Sequence, residues 1–286
     1  MFRTLIAALM ILTISNGGAS GIPARANELG AQKMETETAE SAEAMYDGQI
    51  QKMVAIVIDD FGNHMKGTKE MLDMPVHFTA AVMPFMPSTK EDAEEAYRLG
   101  HDVIVHLPLE PMKGKKEWLG PGAITVDMSD EEIRTRTLQA LADVPHAVGM
   151  NNHMGSKATA DERVMRIILT VCKEKGKFFL DSRTTHKTVI PKIAKELGMT
   201  YLRNQLFLDD TYSEAHVSRQ FGKMKELLEE NDTVITIGHV GAPGKHTAAV
   251  LKRSIPTMAP TTRFVKLSDL FYQADLMNRP MKLTNP

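Results

Sequence analysis

The chain has 286 residues, a formal net charge of −2 and one cysteine, Cys172. This length allows one α/β catalytic domain of about 230 residues, and the balanced charge excludes the strongly basic surface of a nucleic-acid-binding protein and a polybasic membrane patch. A single cysteine also excludes an internal disulfide bond.

The N-terminal segment is predicted to lie outside the folded domain. Arg3, an apolar run over residues 5–14 and an Ala-x-Ala site ending at Ala26 are typical of a signal peptide over residues 1–26. The apolar run is too short to span a membrane, although an uncleaved N-terminal anchor is the alternative. Residues 27–52 are polar and acidic, which predicts a flexible linker. We therefore expect export to the periplasm or the outside of a bacterial cell.

Strand-like runs alternate with helical patterns over residues 53–272, which predicts one α/β domain followed by a C-terminal tail over residues 273–286. This alternation favours parallel βα units, arranged as a barrel or as a doubly wound sheet. The predicted strands cover residues 53–58, 78–83, 102–105, 147–150, 177–180, 200–202, 233–237 and 264–267. The predicted helices lie near residues 65–73, 89–99, 130–142, 160–175, 186–197, 214–229 and 246–254.

The first predicted strand is apolar from Val54 to Ile58 and is followed by two acids, Asp59 and Asp60. Because burying an unpaired charge is costly, we expect both acids at the C-terminal end of the strand. Adjacent strand residues point to opposite sides, so one acid could bind a metal and the other could accept a proton. The alternative is that the pair caps the next helix or forms a turn.

Polar or ionisable residues follow six of the predicted strands, and in a barrel these strand ends meet on one face. After the two acids of the first strand they are His106, Asn151, Asn152, His153, Asp181, Arg183, Arg203, Asn204 and His239. Imidazole and carboxylate groups together suit Zn²⁺, Fe²⁺, Co²⁺ or Ni²⁺. Alternatively, His106 could bond to a backbone carbonyl, and Asp181 could cap a helix with Arg183 neutralising it.

The order of these motifs resembles the polysaccharide deacetylase superfamily, the NodB-like metal-dependent carbohydrate esterases, and more closely its divergent branch. The segment 58–62, Ile-Asp-Asp-Phe-Gly, is similar to the first motif of that superfamily. The segment 100–106 resembles the approach to its first metal histidine, but Glu110 stands where a second histidine is usual. The segment 151–156 lies in the place of the third motif and supplies His153 instead.

Two later segments carry the rest of the resemblance, which spans about residues 53–272. The segment 179–182 lies where the motif that orients the catalytic base would be, and the segment 235–239 is similar to the last motif, whose histidine is the general acid. The resemblance implies a single distorted (β/α) barrel of seven or eight parallel strands, NodB-like in form.

The resemblance also implies a role for each site residue. Asp59 would be the catalytic base, oriented by Asp181 or Arg183, and His239 the general acid. One divalent ion, with Zn²⁺ favoured over Co²⁺, Ni²⁺ and Fe²⁺, would be held by Asp60, His106 and His153. Glu110 would be a substitute ligand or a group bonded to a ligand. The substrate would contact Asn151, Asn152, Arg203 and Trp118.

The implied function is a metal-dependent deacetylase that hydrolyses the amide of an N-acetylated polysaccharide or peptidoglycan fragment. The main alternative is a non-catalytic periplasmic glycan-binding or regulatory module on the same fold, because the motifs are altered at Glu110. A phosphodiesterase would need more basic groups than Arg183, Arg203 and Lys245 provide. A third alternative is a glycosidase, but Asp59 and Asp60 are too close in sequence for the usual flanking pair, so another acid such as Asp181 or Glu110 would have to take part. The sequence leaves the oligomeric state open.

Overall fold

The computed structural model describes residues 52–114 and 118–278. The predicted signal peptide over residues 1–26 and all but the last residue of the predicted linker therefore lie outside the described residues. The final helix continues to Asn278, so the first part of the predicted C-terminal tail is helical, and the rest of that tail lies outside the described residues. No helix within the described ranges is long and apolar enough to cross a membrane.

Nine strands and eight α-helices alternate along the described residues. The strands are β1 (Lys52–Phe61), β2 (Thr79–Val82), β3 (Asp102–Leu109), β4 (Ala147–Met154), β5 (Phe178–Asp181), β6 (Leu202–Arg203), β7 (Leu206–Phe207), β8 (Thr233–His239) and β9 (Thr262–Val265). The helices are α1 (Thr68–Leu72), α2 (Thr89–Arg98), α3 (Asp130–Asp143), α4 (Glu162–Glu174), α5 (Ile190–Leu197), α6 (Glu214–Glu230), α7 (Gly244–Met258) and α8 (Leu267–Asn278).

All the strand pairs of the sheet are parallel, in the order β6-β5-β4-β3-β2-β1-β8-β7, with β9 also pairing with β1. The two end strands of this order, β6 and β7, are separated by only Asn204 and Gln205. Asn204 N donates to Asp181 O of β5, and Gln205 N donates to Ile235 O of β8. One short segment therefore contacts both ends of the curled sheet, and the predicted distorted (β/α) barrel is confirmed.

Residue alternation along β1 explains how the core divides into two clusters. Val54, Ile56 and Ile58 belong to a cluster shared with residues of the helices, which we call the outer cluster. Ala55 and Val57 belong to a second cluster composed mainly of strand residues, together with Leu267 and Leu270 of α8, which we call the inner cluster. Because side chains alternate along a strand, β1 must be apolar on both faces, as its continuous apolar run predicts.

The helix boundaries follow the predicted local signals. Ser129 caps α3 in a capping box with Glu132, since each side chain bonds the backbone N–H of the other. Gly198 ends α5 in the left-handed conformation, with a φ of 65°. Two elements were not predicted: β7 has only two residues, which is too short for a periodic pattern, and α8 follows β9 directly.

Several strands extend further than their predicted ends: β1 continues to Phe61 and β8 to His239, and the extensions of β3 and β4 are the longest. β3 continues to Leu109 and β4 to Met154, although polar residues begin at His106 and Asn151. These two residues are direct neighbours in the parallel ladder, and their side chains hydrogen-bond to each other. Polar groups that satisfy one another can remain inside a sheet, which is why composition alone placed the strand ends too early.

Candidate active site

Three strands place an ionisable residue directly above the inner cluster. His106 follows Ile104 on β3, Asp59 follows Val57 on β1, and His239 follows Ile237 on β8, each at the two-residue spacing that keeps a side chain on one face. The C-terminal ends of parallel strands meet on one face of a barrel. The predicted convergence of these strand ends is therefore observed.

The end of β1 separates its two acids by a change of backbone conformation. Asp60 has a φ of 73°, an unusual left-handed conformation for a residue other than glycine. Gly62 follows with a φ of 113°, and a Cβ there would lie 2.8 Å from Met83 O, so no other residue fits without a shift. As a result Asp59 is directed to Asn151, whereas Asp60 is directed to two histidines.

Asp60, His106 and His153 form a compact group, which we call the metal cluster. Asp60 Oδ1 lies 3.0 Å from His153 Nδ1 and 3.3 Å from His106 Nε2. The two ring nitrogens lie 3.1 Å from each other. Ligands on a tetrahedral ion at bond lengths of about 2.0–2.1 Å are separated by about 3.3 Å, close to these distances.

Both histidines of the metal cluster have their other ring nitrogen bonded to an oxygen acceptor. His106 Nδ1 lies 2.7 Å from Asn151 Oδ1, and His153 Nε2 lies 3.0 Å from Trp118 O. An acceptor oxygen fixes the proton on the nitrogen that faces it, so His106 Nε2 and His153 Nδ1 are free to bind a metal. Asp60 Oδ1 is buried and has no hydrogen-bond partner of good geometry. A buried oxygen without such a partner is typical of a metal ligand, whose partner is the ion itself. These three residues therefore fit a divalent metal.

The electrostatics of the metal cluster also favour a cation. Burial alone would raise the pKa of Asp60, but the adjacent His106 and His153 outweigh it and lower the pKa well below its usual range. Burial alone would lower the pKa of His106, but the Asp59 and Asp60 carboxylates raise it above its usual range. Both pKa shifts arise because positive charge is stabilised beside these carboxylates. The same negative charges would stabilise a bound divalent ion.

Asp59 is 1% exposed and accepts a hydrogen bond from Asn151 Nδ2 at 2.8 Å. Its Oδ2 lies 3.7 Å from His106 Nε2, and in the ladder Asp59 is the direct neighbour of His239. Burial raises the pKa of Asp59, while the charges of His106 and His239 oppose that rise. A carboxylate with a raised pKa beside a metal cluster suits a general base.

His239 and Asp209 form a second group, which we call the acid pair. His239 Nδ1 lies 2.7 Å from Asp209 Oδ1, while Asp209 Oδ2 accepts from His239 N and from the Thr247 hydroxyl. Burial alone would lower the pKa of His239, but the hydrogen bond and charge of Asp209 outweigh it and raise the pKa to about 10. At neutral pH His239 is therefore an imidazolium, the form that can donate a proton.

Two predicted roles are corrected by the contacts of the residues concerned. Glu110 is turned away from the metal cluster: its carboxylate accepts from Lys157 Nζ at 2.7 Å and from Val126 N at 2.8 Å. Asp181 is bound to Arg183 N and to the Tyr201 hydroxyl, and no described hydrogen bond joins either Asp181 or Arg183 to the predicted base. Instead, the residue that holds the base is Asn151.

The predicted substrate contacts divide into two groups. Asn151 and Asn152 are 0% and 1% exposed, so the prediction that they bind substrate is wrong; Asn151 joins Asp59 to His106, and Asn152 binds Ser182. Arg203 is exposed beside a cavity. Trp118 is 60% exposed, and its carbonyl holds His153. The substrate-binding roles of Arg203 and Trp118 stay predictions.

Sequence reasoning missed Asp209 and Tyr212. Asp209 lies two residues after the two-residue strand β7, so a polar residue after a short apolar run was the only signal. A cavity of about 360 Å³ is lined by Asp60, Asp209, Tyr212 and His239. Tyr212 is 62% exposed, so an aromatic ring stands at the rim of this cavity beside the acid pair.

Comparison with known proteins adds a family and a fold. Residues 56–271 match the family described as divergent polysaccharide deacetylase. An uncharacterized protein of Haemophilus influenzae is 37% identical over 221 residues, which cover 77% of each chain. The uncharacterized protein YibQ of Escherichia coli is 36% identical over 217 residues, 76% of this chain and 66% of that one.

Among solved structures, the uncharacterized protein ATU2773 of Agrobacterium tumefaciens is similar in fold. Its TM-score is 0.72 at 20% sequence identity, and the match covers 79% of this chain and 91% of that one. At this identity the similarity supports the barrel architecture alone.

Proposed function

Because the chain belongs to the divergent polysaccharide deacetylase family, we propose that it is a metal-dependent hydrolase that removes acetyl groups from N-acetylated glycans. The observation that carries the proposal is the juxtaposition of the metal cluster with a base and an acid. Asp59 and His239, direct neighbours on β1 and β8, stand beside three ligand atoms that are 3.0–3.3 Å apart. A binding module would not need a buried base and a protonated acid at this position.

The metal cluster would hold one divalent ion, and one carboxylate with two imidazoles suits Zn²⁺. When bound, such an ion polarises a carbonyl group and lowers the pKa of a bound water toward about 7. Asn151 holds His106 in the tautomer that leaves Nε2 free, and the same amide donates to Asp59. One side chain therefore orients both a ligand and the base.

Proton transfer is assigned to Asp59 and His239. Asp59 accepts the proton of the attacking water, because its raised pKa makes it a stronger base than an exposed aspartate. His239 donates a proton to the departing amine from Nε2, since Nδ1 is held by Asp209. The cavity of about 360 Å³ beside Asp60 and His239 has room for a sugar residue and its acetyl group.

The proposed substrates are peptidoglycan and other N-acetylated polysaccharides, which export through the predicted signal peptide would bring within reach. The mature protein, loaded with one equivalent of Zn²⁺, should release acetate from N-acetylglucosamine oligomers or peptidoglycan fragments. Asp59→Asn should lose most of that activity, by about 10²- to 10⁴-fold, and keep its metal. Glycan binding with no acetate release would instead indicate a binding module. A protein that takes up no metal would refute the hydrolytic mechanism.

A further inference from the structure

A cavity of about 500 Å³ adjoins the active site on the side of β6 and β7. Its lining includes Arg183, Arg203, Phe207, Asp210 and Gln220. It lies beside the segment that closes the barrel, between that segment and α6. None of its groups is used in the reaction proposed above, although two of them are arginines.

The two arginines differ in how they are held. Arg203 is exposed at the end of β6, and its guanidinium forms no ion pair with a carboxylate in the described part of the chain. Arg183 has a φ of 59°, and its backbone N–H donates to Asp181 at 2.8 Å. Its side chain lies near the Tyr201 hydroxyl, which donates to Asp181 at 3.0 Å. A non-glycine residue at positive φ that is fixed from two sides is typical of a functional position.

The charges around this cavity leave an excess of positive charge. Asp210 is the one carboxylate among the described residues of its lining, and it is already paired with His216 of α6. Asp181 is buried and bonded to Arg183 N and Tyr201, so it is not available to the Arg203 guanidinium. An arginine without a carboxylate partner in a cavity suits a carboxylate or phosphate of a ligand.

This cavity is adjacent to the site of the proposed reaction. Asp210 lines both this cavity and the one beside Asp60 and His239. Phe207 lines it as well, and its ring stacks on the His239 ring with centroids 5.9 Å apart. A glycan bound at the metal cluster that extends past His239 therefore reaches the two arginines.

We propose that Arg183 and Arg203 bind a carboxylate of the substrate, so that the protein selects acidic N-acetylated glycans over neutral ones. This inference rests on the proposed function for the position of the scissile amide. The carboxylate could belong to the lactyl ether of muramic acid or to a uronic acid, and both present the same anionic group. An arginine–carboxylate hydrogen-bonded pair would favour the acidic glycan by about 10-fold or more.

The test measures binding with hydrolysis removed. The Zn²⁺-loaded Asp59→Asn protein is titrated with a tetrasaccharide of alternating N-acetylglucosamine and N-acetylmuramic acid, and with the methyl ester of the same tetrasaccharide. A tetrasaccharide of N-acetylglucosamine and glucuronic acid distinguishes the two sources of carboxylate. Calorimetry gives each dissociation constant, and fluorescence of Trp118, the single tryptophan, gives a second readout.

We expect at least one acidic tetrasaccharide to bind about 10-fold more tightly than its methyl ester. Arg203→Ala should abolish that preference without weakening binding of the ester, and Arg203→Lys should keep part of it. Arg263→Ala is the matched control, because Arg263 is an exposed arginine on β9, beside the N-terminal end of β1, and it should change nothing.

Two results would overturn the inference: equal affinity for each acid and its ester, or a preference that survives Arg203→Ala. The outcome is separate from that of the proposed function, because the titration needs no turnover. Acid preference without acetate release from the wild-type protein would refute the deacetylase alone. Acetate release without acid preference would refute the arginine site alone.

Discussion

Two histidines of the barrel, the buried His106 and the half-buried His239, have nearly the same local geometry and are suited to different tasks. His106 Nδ1 and His239 Nδ1 each lie 2.7 Å from a side-chain oxygen. For His106 that oxygen belongs to the neutral amide of Asn151, and for His239 it belongs to the carboxylate of Asp209. A neutral partner fixes the tautomer without adding charge, whereas a charged partner also stabilises the protonated ring.

The comparison shows that the hydrogen-bond partner of Nδ1 helps decide whether Nε2 binds a metal or donates a proton. In the metal cluster, His106 must give up a proton to bind an ion, and the carboxylates that raise its pKa are the same ones that would attract that ion. In the acid pair, Asp209 raises the pKa of His239 to about 10 and keeps a proton available. Substitutions in each group, and the pH dependence of unfolding, can test this division of tasks.

Removing the metal cluster while keeping the acid pair should have the largest effect. Asp60→Asn should lose stoichiometric metal and reduce deacetylation to background, because a neutral amide is a poor replacement for a carboxylate ligand. Elemental analysis and acetate release measure the two effects. Glu110→Gln is the matched control, since its carboxylate binds Lys157 and Val126 N, and it should keep its metal. Metal retained in Asp60→Asn would contradict the assignment.

Removing the charge of the acid pair should reduce activity by about 10²- to 10⁴-fold and leave metal content unchanged. Asp209→Asn keeps the shape of the side chain but no longer stabilises the imidazolium of His239. The control Thr247→Val removes a hydrogen bond to the same carboxylate and keeps its charge, so its effect should be smaller. Equal rates for Asp209→Asn and wild type would mean that His239 is not the acid.

Removing the neutral partner should weaken metal binding by about 10- to 100-fold, as is usual for a group that orients a metal ligand. Asn151→Ala frees His106 Nδ1 and also removes a donor to Asp59, so the catalytic rate at saturating Zn²⁺ should fall as well. Competition with a metal chelator gives the affinity, and a thermal melt checks the fold. An unchanged affinity in a folded variant would show that His106 needs no partner.

The last test concerns stability at alkaline pH. His239 has a pKa of about 10 in the folded metal-free protein and an ordinary value near 6.5 when unfolded. Its stabilising effect is fully present below pH 6.5 and is lost as pH rises toward 10, at up to about 1.4 kcal/mol per pH unit. Urea unfolding of metal-free protein between pH 7 and 10 measures this slope, which Asp209→Asn should flatten. The same slope in both proteins would contradict the raised pKa.

The sequence was sufficient for the barrel and for the positions of the strand-end residues. An apolar run followed by charge indicates which end of a strand carries the polar residues, although not the exact residue at which the strand ends. Asp59, Asp60 and His239 were therefore expected on one face of the barrel. The same pattern placed His106 and His153 at strand ends, and the resemblance gave them the role of metal ligands; their ring nitrogens lie 3.1 Å apart. These predictions depend on local patterns and on chain order, which the sequence states directly.

The partners of these residues could not be read in the same way. Glu110 occupies the position of a usual ligand, but its side chain bonds Lys157, a residue 47 positions later. Asp209 follows a strand of two residues, which has no measurable period. Asn151 was expected to contact the substrate, yet its amide is hydrogen-bonded to Asp59 and His106 inside the barrel. The hydrogen-bond partners of these polar side chains are determined by packing between segments that are distant in sequence.

The position of β1 in the sheet has a consequence for how the chain folds. β1 lies between β2 and β8 and also pairs with β9. Two of its three partner strands therefore come from the C-terminal part of the chain, residues 233–239 and 262–265. Pairings across such long sequence separations form slowly, since each requires closing a large loop. A chain synthesised from its N-terminus would therefore present Asp59 long before His239 arrives beside it, and the edge of β1 that pairs with β8 and β9 would remain unpaired until almost the whole domain has been synthesised.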